Sequence, residues 1–193
     1  MGRVNLAIDD GSLELTPSSG SQSVAIMGTC TLGTTNTPVS ITSSDQALEL
    51  LGYGPLAQAA AFIADRGGTT VWCIPVAQSG NGSMGAWTTN TGPNVGNSGT
   101  PNDAYQVWVK MTLGGAVATA KAQVSLDGGE TYGEEFTTAA TVALANTGLT
   151  LTFAAGTYVI NEVYKSNAVP PAYMTTELNA AVEAWRASGQ VAK

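Results

Sequence analysis

The N-terminal stretch of the chain alternates between apolar residues and polar or small ones. The apolar positions are Val4, Leu6, Ile8, Leu13 and Leu15. This alternation predicts two short strands, and Asp10-Gly11 between them favours a hairpin turn. Because two short strands cannot form a core of their own, we expect residues 1–22 to be an extended arm. The arm then lies on a sheet edge, either of this chain or of a neighbour.

Residues 23–92 show the pattern of a small α/β layer. Three strand-like runs and two helical runs follow one another: strands near 24–27, 39–42 and 70–76, and helices at 44–52 and 55–65. Ser43 with Gln46 fits a capping box, and Pro55 suits the first position of the second helix. Gly52 and Gly67 are stop signals. The order β, β, α, α, β indicates an α/β layer.

Two of the helical runs have recognisable apolar positions. Leu48 and Leu51 lie three residues apart in the first helix. A C-terminal helix is predicted from about Thr176 to Ser188, and its apolar face consists of Leu178, Ala181, Val182 and Trp185. We expect residues 169–193 to return to the α/β layer.

The middle of the chain has a different composition. The segment from Ala77 to Asp103 is rich in glycine and asparagine, has little periodicity, and is predicted to be a linker or long loop. Five short strand-like runs follow it, separated by turn residues at the spacing of a β-sandwich or barrel. We assign residues 93–168 to an inserted module. The predicted fold is therefore α+β: a small α/β layer with paired helices, an inserted all-β, sandwich-like module and an N-terminal arm.

Composition and charge exclude several classes of function. Among 193 residues, 44% are apolar but only 11% are charged, with a net charge of −7. The seven basic residues are scattered, which disfavours a nucleic-acid partner, since that requires clustered cations. No apolar run approaches the ~18 residues of a membrane span, and no signal-peptide core is present. A surface so poor in charge is either neutral and polar or covered by other copies.

The acidic stretch "SLDGGETYGEEF", Ser125 to Phe136, is the first candidate for chemistry. A calcium loop of the EF-hand type starting at Asp127 fails, because Gly129 and Thr131 stand where ligands are needed. A looser calcium site, or a catalytic carboxylate pair of Asp127 with Glu130 or Glu135, is weaker than the structural alternative. We interpret the stretch as a turn between two strands, with glycines at positive φ.

The remaining candidates for chemistry are also weak. Gly80 to Gly85 matches G-x-G-x-x-G, but the residues that follow cannot form the helix that a dinucleotide site needs. The chain has no histidine, which excludes Ser-His and Cys-His catalysis, and two cysteines are too few for a structural zinc site. Cys30 and Cys73 are predicted to be small buried residues, and a disulfide requires neighbouring strands. We predict no catalytic, cofactor-binding or metal-binding residue.

Residues 23–76 resemble the N-terminal part of contractile-tail sheath proteins. The run "SVAIMGTCTLGTTNTPVSITSSDQALELLGYGPLAQAAAFIADRGGTTVWCIPV" is similar to the sheath pattern of strand, loop, strand, two helices and strand. Its matching positions are Gly28, Gly33, Pro38, Ile41 to Ser43, Gly52, Gly67, Gly68 and Val71 to Val76. The β module, with "YQVWVKMT", "VSLDGGETY" and "GLTLTFAAGTYVINEVY", resembles one inserted in some sheath-type proteins. Sheath proteins are usually much longer, so the domain that grips the tail tube is expected to be missing.

The resemblance implies a mechanical function in a virion. Sheath subunits of bacteriophages assemble with copies of themselves around the tail tube, and their contraction drives the tube through the target envelope for genome ejection. The implied partners are other copies, tail tube and baseplate proteins, without nucleic acid or membrane insertion. The implied location is the virion tail, assembled in the bacterial host cytoplasm. Strand addition would make Val4, Leu6, Ile8, Leu13 and Leu15 the subunit interface.

Two alternatives stay open at this point. The first is another tail structural protein (tube, baseplate or decoration) with an immunoglobulin-like module. A tube protein does not need the paired helices at 44–52 and 55–65, so the presence of these helices would distinguish a sheath protein from a tube protein. The second is a nucleotide-binding enzyme that uses the loop from Gly80 to Gly85, for which a nucleotide-induced thermal shift is the test.

Overall fold

The computed structural model describes residues 24–67 and 70–189, so the predicted arm lies outside the described residues. The described chain is mixed α+β, as predicted, with small sheets and helices. Its elements are, in order, β1 (Val24–Gly28), β2 (Val39–Ile41), α1 (Ser44–Leu51), α2 (Pro55–Gly67), β3 (Val71–Pro75), β4 (Ser83–Met84), β5 (Val95–Gly99), β6 (Tyr105–Leu113), β7 (Gly115–Ala116), β8 (Lys121–Ser125), β9 (Phe136–Thr137), β10 (Thr141–Leu144), β11 (Leu149–Phe153), β12 (Thr157–Tyr158), β13 (Val163–Val169) and α3 (Thr175–Ala187).

A three-stranded sheet forms the centre of the α/β layer. β3 lies in the middle and pairs in parallel with β1 and antiparallel with β2. Side chains alternate along β3, so Val71 and Cys73 pack with residues of α1 and α2. Trp72 and Ile74 point to the other face, where they meet α3. The sheet is therefore covered by helices on both faces.

Small side chains allow α2 to lie close to the sheet. Its buried residues are Leu56, Ala57, Ala60 and Ala64, which recur at helical spacing. A methyl group added at Gly28 of β1 would lie 3.4 Å from the Leu56 Cβ atom. The core between the helix pair and the sheet is accordingly rich in alanine.

The caps of α1 differ in detail from the predicted capping box. The Ser43 hydroxyl accepts the Gln46 amide at 3.2 Å, as predicted. The Gln46 side chain, however, accepts the amide of Thr42 at 2.8 Å. At the C-terminus, Gly52 adopts φ 69° and its amide donates to the Leu48 carbonyl at 3.0 Å. The Leu48 side chain is 47% exposed, so of the two predicted apolar positions only Leu51 is in the core.

The C-terminal helix packs on the opposite face of this sheet. α3 agrees with the predicted helix to within one residue at each end. Ala181 is fully buried with Ile74, and the rings of Trp72 and Trp185 have centroids 5.7 Å apart. The last helix thus covers strands formed by the first part of the chain.

The β module is a sandwich of two antiparallel sheets. One sheet has the strand order β4-β13-β6-β8-β9, and the other has the order β10-β11-β5. Aromatic rings fill the interior in edge-to-face pairs, with centroids 5.7 Å apart for Phe153 and Tyr158 and 6.1 Å apart for Tyr158 and Tyr164. Aliphatic residues from both sheets complete this core, including Val109, Met111 and Leu151.

The segment predicted as a linker or long loop is largely part of the fold. β4 and β5 both lie within residues 77–103, which corrects that prediction. The Trp87 indole donates to the Asn97 side chain at 2.9 Å, and the Glu162 carboxylate accepts the amides of Thr91 and Gly92. Long-range polar contacts order this segment. Because such contacts need no regular spacing of apolar residues, the sequence of the segment shows no hydrophobic periodicity.

Candidate assembly surface

The acidic stretch folds into a closed turn. It joins the antiparallel strands β8 and β9, which confirms the turn interpretation. The Asp127 carboxylate accepts the Ser125 hydroxyl at 2.6 Å and the Thr131 amide at 3.0 Å. These hydrogen bonds hold the pKa of Asp127 well below its usual range, the Ser125 bond first among them. The carboxylate thus forms hydrogen bonds within its own loop and stabilises the conformation of that loop.

Close packing explains the two glycines of this turn. Gly128 and Gly129 have φ values of 82° and 95°, which favour glycine. A Cβ atom at Gly129 would lie 2.6 Å from the Trp108 ring. The Lys165 ammonium lies 3.7 Å from the centroid of that ring. The turn therefore covers one side of the outer face of the sandwich.

The glycine motif between Gly80 and Gly85 has a structural cause as well. Its centre is β4, which pairs with β13, and no helix follows it before α3. A Cβ atom at Gly82 would overlap the carbonyl oxygen of Pro101. Glycine is required there because two backbone segments approach each other, which is a packing role and not that of a phosphate cradle.

The two cysteines are free thiols in the α/β layer. Cys73 is fully buried in β3, and the partly buried Cys30 packs against the same core, with its thiol donating to the Leu32 carbonyl at 2.8 Å. Burial raises the pKa of Cys30 to about 11 and that of Cys73 to about 12. Both are small core residues, as predicted, with little thiolate at neutral pH.

The predicted interface residues of the arm, namely Val4, Leu6, Ile8, Leu13 and Leu15, lie outside the described residues. Their role remains a prediction. The described part of the chain does show where a strand can be added. β1 is an edge of the three-stranded sheet and pairs, within residues 24–67 and 70–189, only with β3. Its first residue, Val24, is 38% exposed.

An apolar surface lies beside this edge. One cavity of about 240 Å³ runs between β1, the start of α2 and the segment before α3. A second, of about 530 Å³, lies along the outer side of α2 and shares two residues with the first. We call the combined surface the α2 groove and define it by Ile26, Pro55, Ala59, Phe62, Ile63 and Asp103. The Phe62 side chain is 60% exposed in it.

Asp103 supplies the charge of the α2 groove. The residue is only 6% exposed. Its Oδ1 atom accepts the amide of Ala104 at 2.7 Å, whereas Oδ2 has no hydrogen-bond partner in the described part of the chain. The Tyr105 hydroxyl donates to Asn102 instead, at 2.6 Å. Burial raises the pKa of Asp103, and burial together with the Asp103 charge raises the pKa of Tyr105 to about 12.

Residues 24–67 and 70–189 contain neither a cluster of three metal-binding side chains nor a helix suited to span a membrane. No three side chains among His, Cys, Asp and Glu cluster there as metal ligands do. None of the helices in these ranges has the length and apolar character of a membrane span.

Comparison with known proteins places the chain in a family. A family model described as DUF2586, N-terminal domain, matches residues 1–191. The chain belongs to the DUF2586 family. No curated protein matches this DUF2586 domain.

Two solved structures similar to the DUF2586 domain are sheath tail proteins. The one from Desulfitobacterium hafniense is 14% identical, with a TM-score of 0.42 over 93% of this chain and 42% of that protein. The one from Listeria innocua is 13% identical, with a TM-score of 0.35 over 88% of this chain and 39% of that protein. The chain thus spans about two fifths of the length of each.

Sequence reasoning did not find the α2 groove. Asp103 was assigned to the end of a linker, although a lone acidic residue beside an apolar strand was a usable signal. Phe62 stands at a position of α2 that does not share the spacing of Leu56, Ala60 and Ala64. A single exposed aromatic residue off the buried stripe of a helix is common, so only its position beside the other apolar residues of the groove marks a candidate contact surface.

Proposed function

We propose that this DUF2586 chain is a structural subunit of a contractile tail sheath of a bacteriophage. In this role it assembles with copies of itself around the tail tube and contracts to drive the tube through the target envelope, with no catalytic step. Its partners are other copies, the tail tube and baseplate proteins. It acts in the virion tail after assembly in the host cytoplasm.

The observation that carries the proposal is the open edge of the sheet at β1 together with the adjoining α2 groove. Soluble proteins usually cover or charge an exposed strand edge, because it pairs readily with other chains. Here the edge strand consists of Val24, Ala25, Ile26, Met27 and Gly28, without a charged residue. An edge of this kind, beside an exposed Phe62, suits permanent contact with a neighbouring subunit.

The proposed arm complements this edge. In this proposal residues 1–22 are the arm, residues 23–92 and 169–193 the sheath-like α/β domain, and residues 93–168 the inserted module, with β4 of the first part joining a sheet of the module. Backbone hydrogen bonds of an added strand provide affinity, and alternate side chains fill pockets. Val4, Leu6, Ile8, Leu13 and Leu15 have this alternate spacing.

The distribution of polar groups also supports a structural role. Asp127 and Glu162 both use their carboxylates to hold neighbouring loops. The two thiols have pKa values far above neutrality.

Negative-stain electron microscopy of the full chain over a range of concentrations tests the proposal. We expect rings or hollow tubes. Replacing Val4, Leu6 and Ile8 together by Ser, or deleting residues 1–17, should abolish them and leave the thermal unfolding of the domain unchanged. Replacing Asn5, Ala7 and Asp9 by Ser is the matched control and should assemble normally. Normal assembly of the deletion would refute the role of the arm.

A second candidate is another tail structural protein, such as a tube, baseplate or decoration protein. The β-sandwich alone is compatible with it. The paired helices α1 and α2 favour the sheath over a tube, because a tube protein does not need them. Single small particles at all concentrations, which bind to preformed tails, would favour the second candidate.

A further inference from the structure

We propose that the Asp103 end of the α2 groove binds Arg3 from the arm of a second copy of this chain. The inference rests on the proposed function for the identity of the partner and goes beyond it by naming the receiving site. The arm would then be fixed by one ion pair at its start, followed by its apolar residues along the groove.

The geometry of Asp103 indicates a cationic ligand. Its Oδ2 atom is buried without a hydrogen-bond partner in the described chain, although the residue borders a cavity of about 530 Å³. A buried carboxylate oxygen without a partner is costly, and proteins normally pair it. Because Oδ2 has almost no accessible surface, a guanidinium or ammonium group in the cavity reaches it after a rotation of the Asp103 side chain, and it would then satisfy this oxygen and neutralise its charge.

The walls of the groove fit the stem of such a side chain. Four apolar residues line the cavity beside Asp103, together with the polar side chain of Gln58: Pro55, Ala59, Phe62 and Ile63. Arginine buries its methylene groups along apolar surface and keeps its charged end on a carboxylate. A mostly apolar passage that ends in one carboxylate therefore selects arginine or lysine over neutral residues.

The cations of the described chain already have contacts. Lys121 and Arg186 form ion pairs with Glu135 and Glu183. The other three lie over aromatic rings: Lys110 over Tyr132, Lys165 over Trp108 and Arg66 over Phe62. The two remaining basic residues of the sequence, Arg3 and Lys193, lie outside the described residues.

Arg3 matches the groove better than Lys193 does. It directly precedes the alternating residues Val4, Leu6 and Ile8, whereas Lys193 follows Gln190, Val191 and Ala192. The two cavities share Pro55 and Ala59, so the groove continues from Asp103 to the edge strand β1. An extended segment with a cation at one end and apolar side chains after it fits this order of features.

Photo-crosslinking of the full chain tests which segment occupies the groove. The photoreactive residue p-benzoylphenylalanine replaces the exposed Ala59, and ¹⁵N-labelled and unlabelled chains are mixed in equal amounts. We expect crosslinks to residues 1–8 that join labelled to unlabelled peptides. The same residue in place of Glu49, which is exposed on α1 and outside the groove, should not capture the arm. Crosslinks within single chains only, or to another segment, would overturn the proposal.

A double-mutant cycle tests the ion pair itself, with self-association measured by sedimentation velocity. Asp103→Asn keeps the hydrogen bond to the Ala104 amide and removes the charge, and Arg3→Gln removes the cation. Each should weaken association by about tenfold to a hundredfold, and the double variant should be no weaker than the single ones. Lys193→Gln and Lys110→Gln are the matched controls, for which no coupling to Asp103→Asn is expected, since Lys110 lies over Tyr132 in the sandwich.

The outcomes separate this inference from the proposed function. Additive effects of Arg3→Gln and Asp103→Asn, or a lower melting temperature of Asp103→Asn, would make Asp103 a structural residue and overturn the inference. If both variants still form rings or tubes like the unmodified chain, the sheath function stands without this contact. A chain that neither associates nor assembles at any concentration would overturn both.

Discussion

The α/β layer and the β-sandwich differ in the side chains that fill their cores, whereas both expose large apolar side chains, such as Phe62 in the layer and Ile160 in the sandwich. The sandwich encloses a core of interlocking aromatic rings, and a closed turn lies over part of its outer face. The α/β layer has an alanine-rich core, and its edge strand β1 has no second partner strand within residues 24–67 and 70–189. An edge strand without charged residues is a surface to which another strand can add, so the proposed contact with other chains concerns the layer rather than the sandwich.

Leu51→Ala should give the largest effect and would sharpen the distinction between core and surface within the α/β layer. Leu51 is fully buried, so we expect a loss of about 2–5 kcal/mol in the free energy of unfolding. Its neighbour Leu50 is 37% exposed, and Leu50→Ala should cost below about 1 kcal/mol. Urea unfolding followed by circular dichroism measures both. Equal losses would mean that the surface around Leu50 is not open, and the comparison would fail.

Gly82→Ala should give the next largest effect, at the junction between the two regions. The added methyl group would overlap the Pro101 carbonyl, a backbone atom with little freedom to move, and we expect a loss of about 1–3 kcal/mol. Gly80→Ala is the matched control, since its methyl group would lie 3.9 Å from the Ala172 Cβ atom, an ordinary contact. Similar thermal unfolding of both variants would refute the packing explanation of this glycine motif.

Asp127→Asn should give the smallest effect, confined to the sandwich and dependent on pH. The pKa of Asp127 in the folded chain lies below its ordinary value of 3.8, so its contribution to stability is present above that value. It is lost as the pH falls through the folded pKa. We expect the melting temperature of Asp127→Asn to fall below that of the unmodified chain at pH 6, and the difference to shrink as the pH falls below 3.8 towards the folded pKa. Glu130→Gln, which removes another carboxylate of the loop, is the control, and an equal pH dependence in that variant would contradict this role.

The sequence by itself determined the elements that depend on local chemistry. Pro55 and Gly67 mark the two ends of α2, Gly52 ends α1 with a positive φ, and the apolar face of α3 follows from its spacing. The turn after Ser125 could also be predicted from the sequence. Aspartate stabilises such a turn through hydrogen bonds to near neighbours in sequence, and glycine adopts the backbone conformation that the turn requires.

Only the tertiary structure decided the features that depend on distant contacts. The strands β4 and β5 form because β13 and β11 supply partners far away in sequence, with Ser83 opposite Val169 and Val95 opposite Phe153, and this leaves no periodic signal. The α2 groove brings Phe62 and Asp103 together from separate elements. Exposure of Leu48 and burial of Asp103 likewise depend on which surfaces pack, and local sequence does not encode that choice.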